Sequence, residues 1–269
     1  MKMLRKLVEK IGLKNKVVIK PIYVEKSDAE LLLGKVAMVT GGSGGIGNAI
    51  GKKLSEAGAD VILVGRNEEK LIAYAKQYSC RYKVVDVCNI KEMDTAVNEI
   101  FKRTPIDILV NAAGTHGSDK FGEVSEKCFD DVLCANVKAL YFLSQSVSNL
   151  MIDYKIKGHI LNVSSASSLK PSWTPYEISK RAVNGITEGF AHKLIKYGIV
   201  VNGIAPGPTL TKMIRDDENL AWPWNPSGRL STPEEIAALA LFMVGPQGDS
   251  IVGDTFFITG GSGTIDKEK

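Results

Sequence analysis

From residue 36 onward, short β-branched runs alternate with longer stretches of helical period, and this alternation limits the chain to very few architectures. Strands are expected at 36–40, 60–64, 82–85, 107–110, 159–163, 199–204 and 254–258. Helices are expected from the glycines after residue 40 through 57, and at 67–77, 90–103, 125–153, 175–197 and 233–244. In 90–103 the apolar residues Ile90, Met93, Val97, Ile100 and Phe101 recur at helical spacing. Strands separated by helices pair in parallel, with helices on both faces and right-handed crossovers. Pro105, Pro206, Pro208 and Pro233 fall between the expected elements. No break in composition divides residues 35–269, which read as a single α/β domain with a doubly wound parallel sheet of about seven strands.

Charge separates a second region. The net charge is +4. Residues 1–34 hold eight basic and four acidic side chains, leaving 26 of each in the other 235 residues. A neutral body with a basic N-terminal extension (1–34) does not have the bulk charge of a nucleic-acid-binding domain. Within the extension, Leu4, Leu7, Val8 and Ile11 share one helical face, Gly12 is a stop, and 17–19 reads as extended. Three roles stand open for it: packing on the body or on a neighbouring subunit, a loose tail, or contact with an anionic surface. The 44% hydrophobic and 24% charged composition excludes disordered, collagenous and rod-like chains. No apolar run reaches the ~18 residues of a membrane span, and the N-terminus lacks the apolar core of a secretory signal. Cys80, Cys88, Cys128 and Cys134 have no metal-ligand spacing, and no His cluster suggests a metal site. Reduced thiols in the cytoplasm are the expectation.

The turn after the first strand, Thr40-Gly-Gly-Ser-Gly-Gly-Ile-Gly47, fits both G-x-G-x-x-G and T-G-x-x-x-G-x-G. Between a strand and a helix, such glycines let the backbone turn tightly and approach a pyrophosphate, which the free N–H groups of the helix then meet. This makes the doubly wound domain Rossmann-type. A carboxylate at the end of the second strand would bind the ribose of NAD, but here the strand runs into Gly65-Arg66-Asn67. A guanidinium suits a 2′-phosphate, so NADP(H) is favoured over NAD(H). Glu68 and Glu69 suit the first turn of a helix better than a ribose.

Tyr176 and Lys180 stand four apart on one helix face. A neighbouring ammonium favours the phenolate and fits tyrosine for proton exchange with a carbonyl or alcohol oxygen. Alone, Tyr-x-x-x-Lys is common by chance. Here it is joined by Ser164-Ser165 after the fifth strand, Asn111-Ala-Ala-Gly114 after the fourth, Asn136 in an apolar helix, and Pro206-Gly207 after the sixth.

In these motifs the chain resembles the short-chain dehydrogenase/reductase family over essentially all of 35–269, and in particular its 3-oxoacyl-carrier-protein-reductase-like members. The resemblance implies that Tyr176 is the general acid in reduction. Lys180 would hold the nicotinamide ribose and depress the Tyr176 pKa, a serine would bond the substrate oxygen, and Asn136 would position a relay water. It also implies cofactor contacts at Gly41, Ser43, Gly45, Ile46, Gly47, Asp86, Val87, Asn111, Ala112, Gly114, Pro206, Gly207, Thr209 and Thr211. The family spaces its serine 12–13 residues before the tyrosine. Ser164 lies 12 before and Ser165 lies 11 before, and strand alternation sends them to opposite faces. Ser165 is the choice, because the second serine of such a pair is generally the active one, and Ser164 is the alternative.

The aperiodic stretch 210–231 reads as a lid or binding loop. Met213, Trp222 and Trp224 there, with His116, are the substrate-contact candidates; packing against the body or a neighbour is the plainer reading of the aromatics. His159 and His192 read as structural. The expected function is NADPH-dependent reduction of a ketone to an alcohol. The alternatives are an NAD-dependent alcohol, sugar or steroid dehydrogenase of the same fold, and a non-catalytic nucleotide-binding scaffold. A homotetramer or homodimer built on the long helices is implied by the resemblance.

Overall fold

The computed structural model describes residues 28–117, 120–214 and 219–265. The helix and extended arm expected at 4–11 and 17–19 lie outside these residues. Seven parallel strands form one sheet in the order β3-β2-β1-β4-β5-β6-β7. They are β1 (Val36–Thr40), β2 (Asp60–Gly65), β3 (Arg81–Val84), β4 (Ile108–Asn111), β5 (His159–Val163), β6 (Val200–Pro206) and β7 (Thr255–Ile258). The order reverses between β1 and β4, and at such a switch point the strand ends leave a crevice.

The apolar strands divide cleanly between two cores. Ala37, Val39, Val61, Leu63, Ile108, Val110 and Leu161 point to the face covered by α1 (Gly45–Glu56) and α7 (Pro233–Val244). Val36, Met38, Ile62, Val64, Leu109 and Ile160 point to the face covered by α3 (Ile90–Arg103), α5 (Ala139–Asp153) and α6 (Pro175–Leu194). Both faces of a doubly wound sheet are buried, so its central strands are apolar at most positions, while the edge strand β3 carries Arg81 and Lys83. Leu32, within the N-terminal segment, is also buried in the first core, and its N–H bonds Ala57 O at 2.8 Å.

Helix starts follow side-chain chemistry. Asn67 caps α2 (Glu68–Tyr78), with Glu68 and Glu69 in the first turn as expected. Asn89 caps α3, Ser125 caps α4 (Glu126–Leu133), Thr174 caps α6 and Thr232 caps α7. At α1 the capping position is Gly44, with no side-chain cap bond.

Several boundaries differ from the sequence pattern. The stretch 125–153 is not one regular helix: a π-helical turn, Cys134–Lys138, separates α4 from α5. Helix α6 ends at Leu194 and a 3₁₀ turn covers Ile195–Tyr197. Pro206 is not between elements but is the last residue of β6, where the next ladder bond comes from Gly207 N to Ile258 O. Pro233 is the first residue of α7, a position that needs no N–H donor. The stretch 219–231 carries local order: Ala221 bridges Arg229, and Thr209 bridges Ser231.

Glu235 locks the end of that loop to α7. It pairs with both terminal nitrogens of Arg229 (2.6 and 2.9 Å) and closes a capping box with Thr232. The Arg229 guanidinium, then the Thr232 N–H, hold its carboxyl down at about 2, against an ordinary 4.5. A depressed carboxylate stabilises the fold above its unfolded pKa and loses that contribution as pH falls toward the folded value. Glu235→Gln is therefore expected to lower Tm at pH 7 by about 2–4 °C, the effect of ~1 kcal/mol in a chain of this size. The difference from the wild type should shrink between pH 4.5 and 2, and a difference independent of pH over that range would refute the pairing as its origin.

Candidate active site

Three chain segments meet where the strand order reverses. Thr40 Oγ1 accepts the Ala112 and Ala113 N–H groups at 3.1 and 3.2 Å and donates to Val110 O at 3.3 Å. Gly41 follows with φ +68°, and a Cβ there would lie 2.6 Å from Ala112 O. A side chain is excluded twice over, by conformation and by space. At Gly45 a Cβ would meet Thr211 at 2.7 Å, so the segment after β6 closes on the same turn. The first N–H groups of α1 have no side-chain cap and point into this glycine turn, an arrangement that favours an anion.

At the outer end of β2, Ser43 lies against Gly65, where a Cβ would meet Ser43 Oγ at 3.0 Å. Arg66 follows, with a mostly exposed side chain and Nη1 3.8 Å from Asp86 Oδ2. Asp86 in turn accepts the Cys88 N–H at 3.0 Å. This rim carries a guanidinium and a carboxylate side by side. Cys88 also contacts Cys134, and burial together with that thiol pushes its pKa up to about 12. All four cysteines are free.

The candidate proton-handling residues gather around the start of α6. Pro175 occupies its first position and Thr174 and Glu177 close its capping box, which fixes Tyr176 in the first turn. Lys180 is buried one turn on. Its Nζ donates to Val163 O at 2.9 Å and lies 5.6 Å from the Tyr176 ring centre. Burial lowers the Lys180 pKa to about 8. The π turn carries Asn136, which is buried. Its amide donates to Thr115 O and Ser179 Oγ, both at 2.9 Å, and its Oδ1 accepts Thr115 N–H at 2.8 Å. Ser179 Oγ then donates to Tyr176 O at 2.6 Å.

The two serines part as strand alternation requires. Ser164 Oγ is turned into α6, bonding Lys180 O at 3.1 Å and Asn184 Oδ1 at 2.6 Å. Ser165 Oγ accepts Ser167 N–H at 3.1 Å, outside that helix contact. Asn111 is buried, and its side chain donates to Ser144 Oγ and Asn162 Oδ1, both at 2.9 Å. It braces β4 against β5 and α5, and its Oδ1 has no hydrogen-bond partner in the structure. Of the substrate candidates, His116 has its ring centre 4.5 Å from that of Tyr176. Met213 and Trp224 are exposed, Trp224 at 82%, and Trp222 is half-buried in the turn that Ala221 and Arg229 close. His159 pairs with Asp249 and His192 is exposed on α6.

Sequence reasoning passed over Ser179, the link between Asn136 and Tyr176, although it stands inside the Tyr-x-x-x-Lys spacing. It also passed over the edge-on ring pair of Phe121 and Trp173, 5.4 Å apart. Trp173 stands three residues before Tyr176, and that proximity was the available signal.

The short chain dehydrogenase family profile matches residues 35–220. A 3-oxoacyl-acyl-carrier-protein reductase of Rickettsia conorii is 33% identical, covering 86% of this chain and 97% of its own length. A gluconate 5-dehydrogenase of Gluconobacter oxydans is also 33% identical, covering 86% and 95%. Among solved structures, a gluconate 5-dehydrogenase from Burkholderia cenocepacia in complex with NADP and tartrate matches with TM-score 0.81. It has 30% identity and covers 89% of this chain and 99% of that one. The chain belongs to the short-chain dehydrogenase/reductase family. It is an NAD(P)-dependent oxidoreductase acting on CH–OH or C=O groups. No helix among the described residues is long and apolar enough to cross a membrane, and no group of three or more metal-binding side chains occurs among them.

The buried ammonium yields a sign-specific prediction. With a folded pKa of about 8 and an ordinary value of 10.5, Lys180 sheds its proton in the folded chain first. Between these values the unfolded chain holds more protons, so stability rises with pH. Relative to Lys180→Met, the cofactor-free wild type should gain up to about 3 kcal/mol between pH 8 and 10.5, measured by urea unfolding. A gap that stays constant over this interval would contradict the assignment.

Proposed function

We propose that the protein reduces a ketone to an alcohol with NADPH, with Tyr176 as the proton donor. The observation that carries this reading is the buried Lys180 ammonium beside the Tyr176 ring. A bound nicotinamide dinucleotide supplies the hydride. Tyr176 Oη gives its proton to the substrate oxygen, and Lys180 stabilises the phenolate that remains. The Ser165 hydroxyl holds the substrate oxygen, since that of Ser164 is engaged with α6. Asn136, pinned through Thr115 and Ser179, sets the π turn where a relay water restores the proton to Tyr176.

The residues present fit the dinucleotide. The turn of Gly41, Ser43, Gly45, Ile46 and Gly47 would take the pyrophosphate at the uncapped α1 terminus. Arg66 would pair with the 2′-phosphate, and Asp86 and Val87 would meet the adenine. Asn111, Ala112 and Gly114 would form the floor through their backbone, and Pro206, Gly207, Thr209 and Thr211 would close the nicotinamide side. Met213, Trp222 and Trp224 would meet the substrate, with His116 beside them on the Tyr176 ring. The NADP complex of the Burkholderia relative, and the NADPH complex of a 26%-identical actinorhodin polyketide ketoreductase, support the cofactor choice.

Assembly as a homodimer or homotetramer is part of the proposal. Tyr141 and Phe142 on α5 and Ile178 on α6 are exposed apolar side chains that a second copy of the chain could cover. One domain over 35–269 and a cytoplasmic setting, which suits four free thiols, complete it.

Turnover is followed by NADPH absorbance with 5-keto-D-gluconate and ethyl acetoacetate. Tyr176→Phe should lower kcat/KM by roughly 10²–10⁴ without weakening NADPH binding, and wild-type turnover in this variant would end the assignment. Arg66→Ala should reduce the preference for NADPH over NADH by about tenfold or more, the effect of one charge-assisted hydrogen bond. Tighter binding of NADH than NADPH by the wild type would refute the role of Arg66.

A further inference from the structure

We propose that His116 is a positioning residue that fixes the Tyr176 phenol for proton transfer, an inference that rests on Tyr176 being the proton donor. Tyr176 is the second residue of α6. A side chain in the first turn has no preceding helical turn to pack on, so its orientation must come from elsewhere. Lys180 Nζ lies 5.6 Å from its ring centre, and the His116 ring lies 4.5 Å away between centres with planes inclined at 35°. That spacing is ring contact.

Described residues on both sides of His116 are anchored. The Thr115 N–H and C=O both bond the Asn136 amide. Gly117, at φ +82°, sits so close to α4 that a Cβ would meet Val132 at 2.7 Å and the Cys128 sulfur at 3.0 Å. Phe121 lies edge-on against Trp173, in the segment leading into α6. The imidazole itself is oriented by Nδ1, 3.2 Å from Gly117 O. Because a carbonyl only accepts, that contact assigns the hydrogen to Nδ1. Held by Thr115 at the π turn and by Gly117 against α4, His116 lays its imidazole on the phenol.

The consequence is preorganisation. Proton transfer needs Oη within ~2.6–3.2 Å of the substrate oxygen, and a misplacement of about 1 Å costs roughly 10²-fold. His116 acts through Tyr176 by removing ring motions that would carry Oη out of that range.

The test compares full-length His116→Ala, His116→Phe and Tyr176→Phe, with NADPH and whichever of 5-keto-D-gluconate and ethyl acetoacetate the wild type turns over faster. His116→Ala should lower kcat about 10- to 100-fold with KM for NADPH and Tm unchanged. His116→Phe, which restores a ring but no imidazole, should recover most of kcat. A reading that needs no substrate is the ultraviolet titration of the Tyr176 phenol, taken as wild type minus Tyr176→Phe. Its pKa should rise in His116→Ala, as the ring drifts from Lys180, and return in His116→Phe. Wild-type kcat and an unmoved titration in His116→Ala would overturn the inference, as would failure of His116→Phe to recover either. An active Tyr176→Phe would instead overturn the reading of Tyr176. An inactive Tyr176→Phe beside a normal His116→Ala would overturn only the role of His116.

Discussion

The Thr40 hydroxyl is the junction on which the site depends. It bonds the chain leaving β4 to the chain leaving β1, where the sheet reverses its order. Gly41 permits that approach because nothing larger fits against Ala112. From there a continuous path of short contacts runs outward. Ala112 leads to Gly114, packed on Asn136 and near Lys180; Thr115 grips Asn136; Asn136 holds Ser179; and Ser179 holds the backbone of Tyr176. The glycine turn after β1 and the cluster of Asn136, Ser179 and Tyr176 are therefore one mechanical unit, although they come from four separate stretches of chain.

Beneath this unit lies a polar layer inside an otherwise apolar interior. Asn111 bonds Ser144 and Asn162, Asn162 bonds Thr187, and Thr187 bonds Val183 O. Buried polar groups need partners of fixed geometry, so this layer sets the register of α5 and α6 against β4 and β5 more sharply than apolar packing does. Lys180 adds a buried cation to it. The depressed pKa records the desolvation cost of keeping an ammonium buried beside the Tyr176 ring.

The sequence made the fold legible because strand and helix periods differ and because the glycine turn has a single spatial meaning. Helices 90–103 and 233–244 and strands 36–40 and 159–163 begin and end where the pattern places them. The π turn was not legible: no residue in Cys134–Lys138 marks it in sequence, and it coincides with the bonds that tie Asn136 to Thr115 and Ser179 across the fold. Strand alternation correctly separated Ser164 from Ser165, because that depends on backbone period alone. The contact of His116 with Tyr176, and that of Phe121 with Trp173, join residues about 50–60 positions apart through loops. No local period reports on such a contact. Asn111 was expected at the cofactor cleft, but its side chain turns inward, because a buried amide finds its partners on β5 and α5.

The π turn also has a consequence for the rotational phase of the helix. Each residue turns an α-helix by about 100°, so one residue too many in a turn shifts everything after it relative to everything before. Leu143, Val147 and Met151 can then face the sheet while Asn136 faces Thr115 and Ser179. A straight helix through 126–153 would have to surrender one of these two facings. The turn works as a phase shifter, letting one run of helix serve the core with one face and the Asn136 contacts with another.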